Sequence, residues 1–68
     1  MYLYPRLKDC RNDKDLTQEE VGKMLGIDQR VYSIYETGKR EIPLHHFITL
    51  AKFYKVSLDY LAGLSNKM

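Results

Sequence analysis

The sequence predicts an all-α fold, and three features of the chain lead to that prediction. Apolar residues recur at spacings of three and four along almost the whole chain, which is the period of a helix with one buried face. No Asn-Gly or Asp-Gly pair separates alternating apolar runs, so the usual signal of a β-hairpin is missing. A chain of 68 residues, 44% hydrophobic and 29% charged, suits one small folded domain. We therefore expect a single all-α domain over residues 1–68, without internal repeats or linkers.

Composition and cysteine content exclude several classes of protein. The single Cys10 cannot form an internal disulfide, and no Cys-x-x-Cys or His-x-x-x-His spacing is present to hold a metal. No run of about 18 apolar residues occurs, and the first residues lack the pattern of a secretory signal, so we expect a cytoplasmic protein without a membrane span. We expect no cofactor, metal or small-molecule substrate. The net charge of +2 is too small to identify a nucleic-acid binder by itself.

Start and stop signals place the first two helices. Pro5 opens helix one, which runs to the poor helix formers at residues 12–15. The apolar face of this helix is made of Leu3, Leu7 and Cys10. Thr17 and Glu20 have the reciprocal capping pattern at the start of helix two, and Gly26 ends that helix after about two turns. Its apolar face is made of Val21, Met24 and Leu25.

Similar signals place helices three and four. Asp28 is a good N-cap for helix three, which continues to Thr37 and stops at Gly38. Pro43 opens helix four, which ends near Lys55, where a cation complements the negative end of the helix dipole. A wide apolar stripe predicts a central position for helix four; it is made of Leu44, Phe47, Ile48, Leu50, Ala51, Phe53 and Tyr54.

The last helix begins at Ser57 and ends at Gly63. Its apolar residues are Leu58, Leu61 and Ala62. Residues 64–68 are expected to fray, which leaves a domain core at about residues 6–63. The longest loop, residues 38–42, holds the one local basic cluster of the chain.

Two short helices joined across Gly26, Ile27 and Asp28 are typical of a helix-turn-helix unit. The sequence around this turn closely resembles the Cro/phage-repressor (Xre-like) family of DNA-binding domains. The resemblance rests on residues 16–27 (LTQEEVGKMLGI), residues 32–43 (YSxYExGKRxIP) and residues 50–63 (LAKFYKVSLDYLAG), which follow the family's order and spacing. It covers most of the chain and implies a compact five-helix bundle of the lambda-repressor-like type.

The resemblance implies that helix three, about Gln29–Thr37, enters the major groove of double-stranded DNA. The base-reading positions that it implies are Gln29, Arg30, Ser33 and Ile34. Ile34 departs from the polar residue more usual at its position, so we expect it to contact a thymine methyl group or no base. The phosphate-binding positions that it implies are Gln18, Thr37, Lys39, Arg40 and His45. In the family, the glutamine at the position of Gln18 also braces the first base-reading residue, here Gln29. The chain is thus expected to be a sequence-specific transcriptional regulator, of the repressor type.

The resemblance also implies a homodimer on a palindromic operator. Candidates for the dimer surface lie near the C-terminus and are Leu58, Tyr60, Leu61 and Leu64. It further places Arg11 opposite Glu36 as a structural ion pair that fixes helix three. If the pair is buried, removal of one partner should cost about 3–5 kcal/mol, and if it is exposed, about 0–1 kcal/mol.

The register of helix three has two interpretations. Spacing alone favours a buried stripe that leaves Tyr32 outside and comprises Ile27, Val31, Ile34 and Tyr35. The resemblance instead favours Tyr32 and Tyr35 in the core, with Val31 and Ile34 on or beside the groove face. We adopt the register that the resemblance implies. In that register both tyrosines are expected to bury their rings and keep their hydroxyls at the rim.

Residues with catalytic potential have simpler explanations, so we expect no enzyme. Cys10 lies on an apolar face, where a cysteine is inert more often than nucleophilic. His45 and His46 are adjacent, so on a helix they project about 100° apart and do not converge on a metal. The alternative function is a protein-interaction module, such as an antitoxin or a partner-binding subunit, in which DNA contact is secondary. Between residues 29 and 40 only Glu36 is acidic, which favours DNA.

Overall fold

The computed structural model describes residues 2–68 as five helices joined by short loops. The helices are α1 (Pro5–Asp13), α2 (Gln18–Leu25), α3 (Gln29–Glu36), α4 (Leu44–Tyr54) and α5 (Leu58–Ala62). Residues 2–68 contain no β-strand, and the predicted all-α bundle of five helices is confirmed. The longest of these helices has 11 residues, and none of them is long and apolar enough to cross a membrane.

Three helices begin at the capping residues that the sequence predicts. The Thr17 hydroxyl accepts the backbone N–H of Glu20 at 3.1 Å, and the Glu20 carboxylate accepts the backbone N–H of Thr17 at 2.9 Å. Asp28 accepts the backbone N–H of Arg30 at 2.8 Å, and Ser57 caps α5 in the same way. These side chains satisfy N–H groups that have no partner inside their own helix, so each start is fixed locally.

Each helix contributes one residue without solvent-exposed surface, and together these residues form the centre of the core. They are Leu7 of α1, Val21 of α2, Tyr32 of α3, Leu50 of α4 and Leu61 of α5. A second set of buried residues surrounds them: Cys10, Tyr35, Ile42, Phe47, Ala51 and Tyr54. Because every helix reaches the same centre, burial of its own apolar face sets the direction of each helix.

Four apolar residues expected on buried faces are largely exposed instead. They are Leu3, Met24, Leu44 and Phe53, which are 49%, 37%, 67% and 40% exposed. Leu3 precedes α1, whose helical backbone starts only at Pro5, so Leu3 does not share the face of Leu7. The other three lie at the edges of the buried faces, which makes the buried stripes of α2 and α4 narrower than the spacing predicts.

The last residues are held against the bundle, contrary to the fraying expected for residues 64–68. The Arg6 guanidinium donates to the backbone carbonyl of Tyr60 at 2.7 Å and also to the carbonyl of Ser65. A third bond from Arg6 reaches the side-chain oxygen of Asn66 at 2.9 Å. The guanidinium also lies over the Tyr60 ring, 4.0 Å from its centre. Arg6 of α1 therefore holds the last segment of the chain against the helices.

Candidate nucleic-acid interface

A tight turn fixes the direction of α3 relative to α2. Gly26 ends α2 with a φ of +74°, in the left-handed region that glycine enters without a steric penalty. The N–H of Gly26 donates to the carbonyl of Lys23 at 3.1 Å, and the N–H of Ile27 donates to the carbonyl of Gly22 at 2.9 Å. Asp28 then caps α3. The chain thus forms the helix-turn-helix unit that its sequence predicts.

The start of α3 rests directly on α2 at Gly22. Gly22 is buried, and a Cβ atom there would lie 3.0 Å from the carbonyl oxygen of Ile27. The same Cβ atom would lie 3.5 Å from the Cα and from the backbone nitrogen of Gln29. The two helices therefore approach more closely than a side chain at this position would allow.

The register of α3 is the one that places both tyrosines in the core. Tyr32 is fully buried and Tyr35 is 8% exposed, whereas Val31 and Ile34 are only half-buried. The buried side of α3 ends at Glu36. The opposite register, which spacing alone favours, is wrong because it places Val31 and Ile34 in the core and leaves the large Tyr32 ring outside.

The predicted base-reading residues lie on the outer side of α3. Gln29 and Arg30 are exposed, and Ser33 and Ile34 are half-buried one turn further on. The Arg30 side chain is 92% exposed, and its Nε lies 3.5 Å from the carboxylate of Asp28. This contact was not predicted from the sequence, although an acidic N-cap two residues before an arginine is a signal for it.

The predicted phosphate-binding residues lie around α3, at the start of α2 and between α3 and α4. Lys39, Arg40 and His45 are exposed. Thr37 is exposed as well, but its hydroxyl donates to two carbonyls of its own helix, at 2.9 and 3.2 Å. In this conformation the Thr37 hydroxyl has no hydrogen left for a phosphate and can only accept.

Gln18 is half-buried at the first position of α2. Its Nε2 donates to the Glu36 carboxylate across a distance of 3.2 Å. Within residues 2–68 no hydrogen bond joins Gln18 to Gln29, so the bracing contact that the resemblance implies is not formed in this structure. Gln18 therefore hydrogen-bonds to Glu36 at the end of α3 and not to Gln29 at its start.

Arg11 and Glu36 form a buried ion pair with two parallel hydrogen bonds. Arg11 Nε donates to Glu36 Oε2 at 3.0 Å, and Nη2 donates to Oε1 at 2.9 Å. The two side chains are only 11% and 4% exposed. Arg11 Nη1 also donates to the carbonyl of Leu16 at 2.8 Å, which fixes the guanidinium on a second side. The buried form of the structural pair is therefore the one present, and it joins α1 to the end of α3.

Charge and burial compete at Glu36. Burial alone would raise the pKa of the Glu36 carboxyl, but the neighbouring Arg11, Tyr32 and Gln18 side chains stabilise the charged form and hold the pKa below its ordinary value. The Tyr32 hydroxyl does not stay at the rim as expected: it is buried and has no hydrogen-bond partner among the described residues. Burial, together with the charge of Glu36, raises the pKa of Tyr32 far above its ordinary value. Glu36 is thus charged and Tyr32 neutral near pH 7.

The two histidines lie side by side in α4, and the cysteine lies in α1. The rings of His45 and His46 lie 4.1 Å apart, closer than predicted, because helical spacing fixes the Cα–Cβ directions and leaves the rotamers free. No group of three or more His, Cys, Asp or Glu side chains that could hold a metal occurs in the described part of the chain. Burial, with the charges of Asp13 and Asp9, raises the pKa of the Cys10 thiol, which disfavours the reactive thiolate.

The tight turn, the anchored face of α3 and its free outer side define a helix-turn-helix domain. A model of the family described as "Helix-turn-helix" matches residues 7–61, and the chain belongs to this family. The relatives that it resembles are named as transcriptional regulators or repressors rather than as enzymes.

Three relatives illustrate the similarity. The uncharacterised HTH-type transcriptional regulator YqaE of Bacillus subtilis is 44% identical over 62 residues, which cover 90% of this chain and 53% of the relative. The cryptic phage CTXphi transcriptional repressor RstR of Vibrio cholerae is 38% identical over 58 residues, or 85% of this chain and 52% of the relative. The HTH-type transcriptional regulator ImmR of Bacillus subtilis is 36% identical over 63 residues, or 93% and 50%. The chain spans about half the length of these relatives. No solved structure matches the chain significantly.

Proposed function

We propose that the chain is the sequence-specific DNA-binding domain of a transcriptional repressor, and that α3 enters the major groove of double-stranded DNA. The observation that carries the proposal is the two-sided character of α3. Tyr32, Tyr35 and Glu36 hold one side in the core, whereas Gln29 and Arg30 stand exposed at its start. The major groove admits an α-helix, and the first residues of a recognition helix are those that reach base edges.

The charges around α3 favour a polyanion as partner. Between residues 29 and 40 the only acidic side chain is Glu36, which is 4% exposed and paired with Arg11. The charges of this segment that reach solvent are therefore all positive and belong to Arg30, Lys39 and Arg40. This arrangement favours DNA over a protein partner for this face, and we propose a cytoplasmic location because the proposed partner is DNA.

The chemistry of the outer side of α3 supports base reading. Gln29 can pair with N6 and N7 of adenine, and Arg30 can bridge O6 and N7 of guanine. Each such pair discriminates against a wrong base by about 1–3 kcal/mol. Ile34 is half-buried and apolar, which suits contact with a thymine methyl group. Gln18, Lys39, Arg40 and His45 would hold the backbone phosphates.

We further propose a homodimer on a palindromic operator, because one such domain covers a single half-site. Of the candidate interface residues, Leu58 and Leu64 are 40% and 81% exposed. Tyr60 is half-buried under Arg6, and Leu61 is fully buried in the core, so Leu61 belongs to the monomer and is removed from the interface. Sedimentation of the double variant Leu58→Asp, Leu64→Asp should show a monomer, and an unchanged dimer would exclude this surface.

Selection of bound sequences from a random DNA pool tests the proposed function. We expect an enriched palindromic sequence, and gel-shift titrations on that sequence at low and high salt then separate the roles of the residues. Arg30→Ala should lose discrimination at one guanine, whereas Lys39→Ala should weaken binding to all sequences alike and reduce the salt slope by about 1. Failure to enrich any sequence, or equal losses on every sequence for both variants, would overturn the proposal.

A further inference from the structure

We propose that Glu36 is a positioning residue for DNA binding, which acts by fixing the orientation of the Gln18 side-chain amide at the start of α2. Glu36 is buried and does not itself reach the outer surface. Its effect on DNA would pass through Gln18, which is half-buried and donates a hydrogen bond to the Glu36 carboxylate. The inference rests on the proposed function, since it assigns a second role to a residue behind the DNA-facing surface.

The position of the Glu36 carboxylate is determined on several sides. Arg11 contacts both of its oxygens, at 2.9 and 3.0 Å, and Arg11 is itself held by the carbonyl of Leu16. Oε1 of Glu36 accepts a second bond, from Gln18 Nε2 at 3.2 Å. Gln18 therefore hydrogen-bonds to an oxygen atom whose place is set by α1 and α3 together.

The chemistry of this contact fixes which end of the Gln18 amide faces inward. A carboxylate can only accept hydrogen bonds, and only the NH2 group of a glutamine amide can donate them. The NH2 group of Gln18 must therefore point toward Glu36, and the carbonyl oxygen on the opposite side of the planar amide must point away. The second hydrogen of Nε2 is left for a DNA oxygen, in an orientation set before DNA arrives.

Gln18 lies on the side of α2 that faces the start of α3, although its amide points to Glu36 at the end of α3. Gln18 and Gly22 are one turn apart on the same side of α2, and Gly22 lies directly against the backbone of Gln29. Gln29 itself is exposed and makes no side-chain hydrogen bond in the described part of the chain. The DNA-facing surface therefore combines one amide that is held in place with one that is free.

The free protein allows the first test, by measurement of side-chain amide hydrogen exchange with NMR. Gln18 and Gln29 are the only two glutamines of the chain, so Gln29 is an internal control and Gln29→Ala assigns the remaining signals. We expect slower exchange at the Gln18 amide than at the Gln29 amide. In Glu36→Gln the difference should shrink, because the neutral amide oxygen is a weaker acceptor than the carboxylate. Equal exchange at both glutamines in the wild-type chain would overturn the proposal, whatever its DNA binding.

The second test is a cycle of DNA affinities on the selected operator. Glu36→Gln should weaken binding by about 2- to 10-fold, the cost of ordering one free side chain on association. In a Gln18→Ala background the same substitution should cost clearly less affinity, since the part of its effect that passes through Gln18 is gone. An equal loss in both backgrounds would overturn the proposal, because Glu36 would then act on DNA by another route.

A further variant covers the case in which Glu36→Gln does not fold. Gln18→Asn keeps an amide but shortens the side chain by one methylene, so the amide no longer reaches Glu36. It should bind DNA as weakly as Gln18→Ala, and wild-type affinity of Gln18→Asn would overturn the proposal. If the wild-type chain binds no DNA while its Gln18 amide is protected from exchange, the proposed function fails, but the contact between Gln18 and Glu36 in the free protein is still shown.

Discussion

Replacement of Arg11 by alanine should destabilise the domain strongly. The substitution removes both hydrogen bonds between Arg11 and Glu36 and leaves a 4% exposed carboxylate without its countercharge. Breaking a buried pair in this way costs about 3–5 kcal/mol. At about 0.05–0.15 kcal/mol per residue, a domain of 68 residues has a total stability of roughly 3–10 kcal/mol. We therefore expect Arg11→Ala to lose about a third or more of the stability of the domain.

Urea unfolding followed by far-ultraviolet circular dichroism measures this loss. Arg30→Ala is the matched control, because the Arg30 side chain is 92% exposed and an exposed pair contributes about 0–1 kcal/mol. A double variant, Arg11→Met with Glu36→Leu, removes both charges and should be more stable than Arg11→Ala alone. If Arg11→Ala unfolds at the same urea concentration as Arg30→Ala, the ion pair does not hold α3 as described.

Three further outcomes follow from the structure. The stability difference between the wild type and Glu36→Gln should shrink in acid. The pKa of Glu36 in the folded state lies below its ordinary 4.5, so the charge of Glu36 contributes fully to stability above pH 4.5. This contribution is lost as the pH falls through the folded-state pKa. Urea titrations at several pH values measure this, and a constant difference would contradict it. Gly26→Ala should lower the free energy of unfolding by about 1–2 kcal/mol in the same assay. The added Cβ has no neighbour to clash with, but a φ of +74° is unfavourable for alanine; an unchanged urea midpoint would refute this. Arg6→Met should release the end of the chain and expose the Ser57 N–H, which donates to Met68; retained exchange protection at Ser57 would show that the end stays attached without Arg6.

Helix boundaries could be predicted because their signals are local. Thr17, Asp28 and Ser57 each satisfy N–H groups within three residues, so the sequence at each helix start contains the whole interaction. The end of α2 at Gly26 is equally local. The register of α3 needed more than spacing, because Tyr32 buries its ring fully although its hydroxyl makes it a poor match to an apolar pattern.

Contacts between distant parts of the chain could not be predicted from the pattern of residues. Arg6 binds the backbone carbonyls of residues 60 and 65, and every residue has such a carbonyl whatever its side chain, so no sequence signal marks these partners. The bond from Gln18 to Glu36 joins residues 18 positions apart, and it replaces the expected contact with Gln29 only because Arg11 holds the carboxylate nearby. The base-reading role of α3 stays a prediction, since it concerns DNA rather than the chain alone.

Helix α1 carries two arginines that hydrogen-bond to different parts of the chain. Arg6 hydrogen-bonds to the last segment of the chain, and Arg11 hydrogen-bonds to α3, the helix proposed to contact DNA. Unwinding of α1 would detach both partners at once, and departure of either partner would leave a guanidinium without its acceptors. Because all five helices reach one core and α1 holds α3 through Arg11, the helices should unfold as a single cooperative unit, whereas the last segment can detach alone.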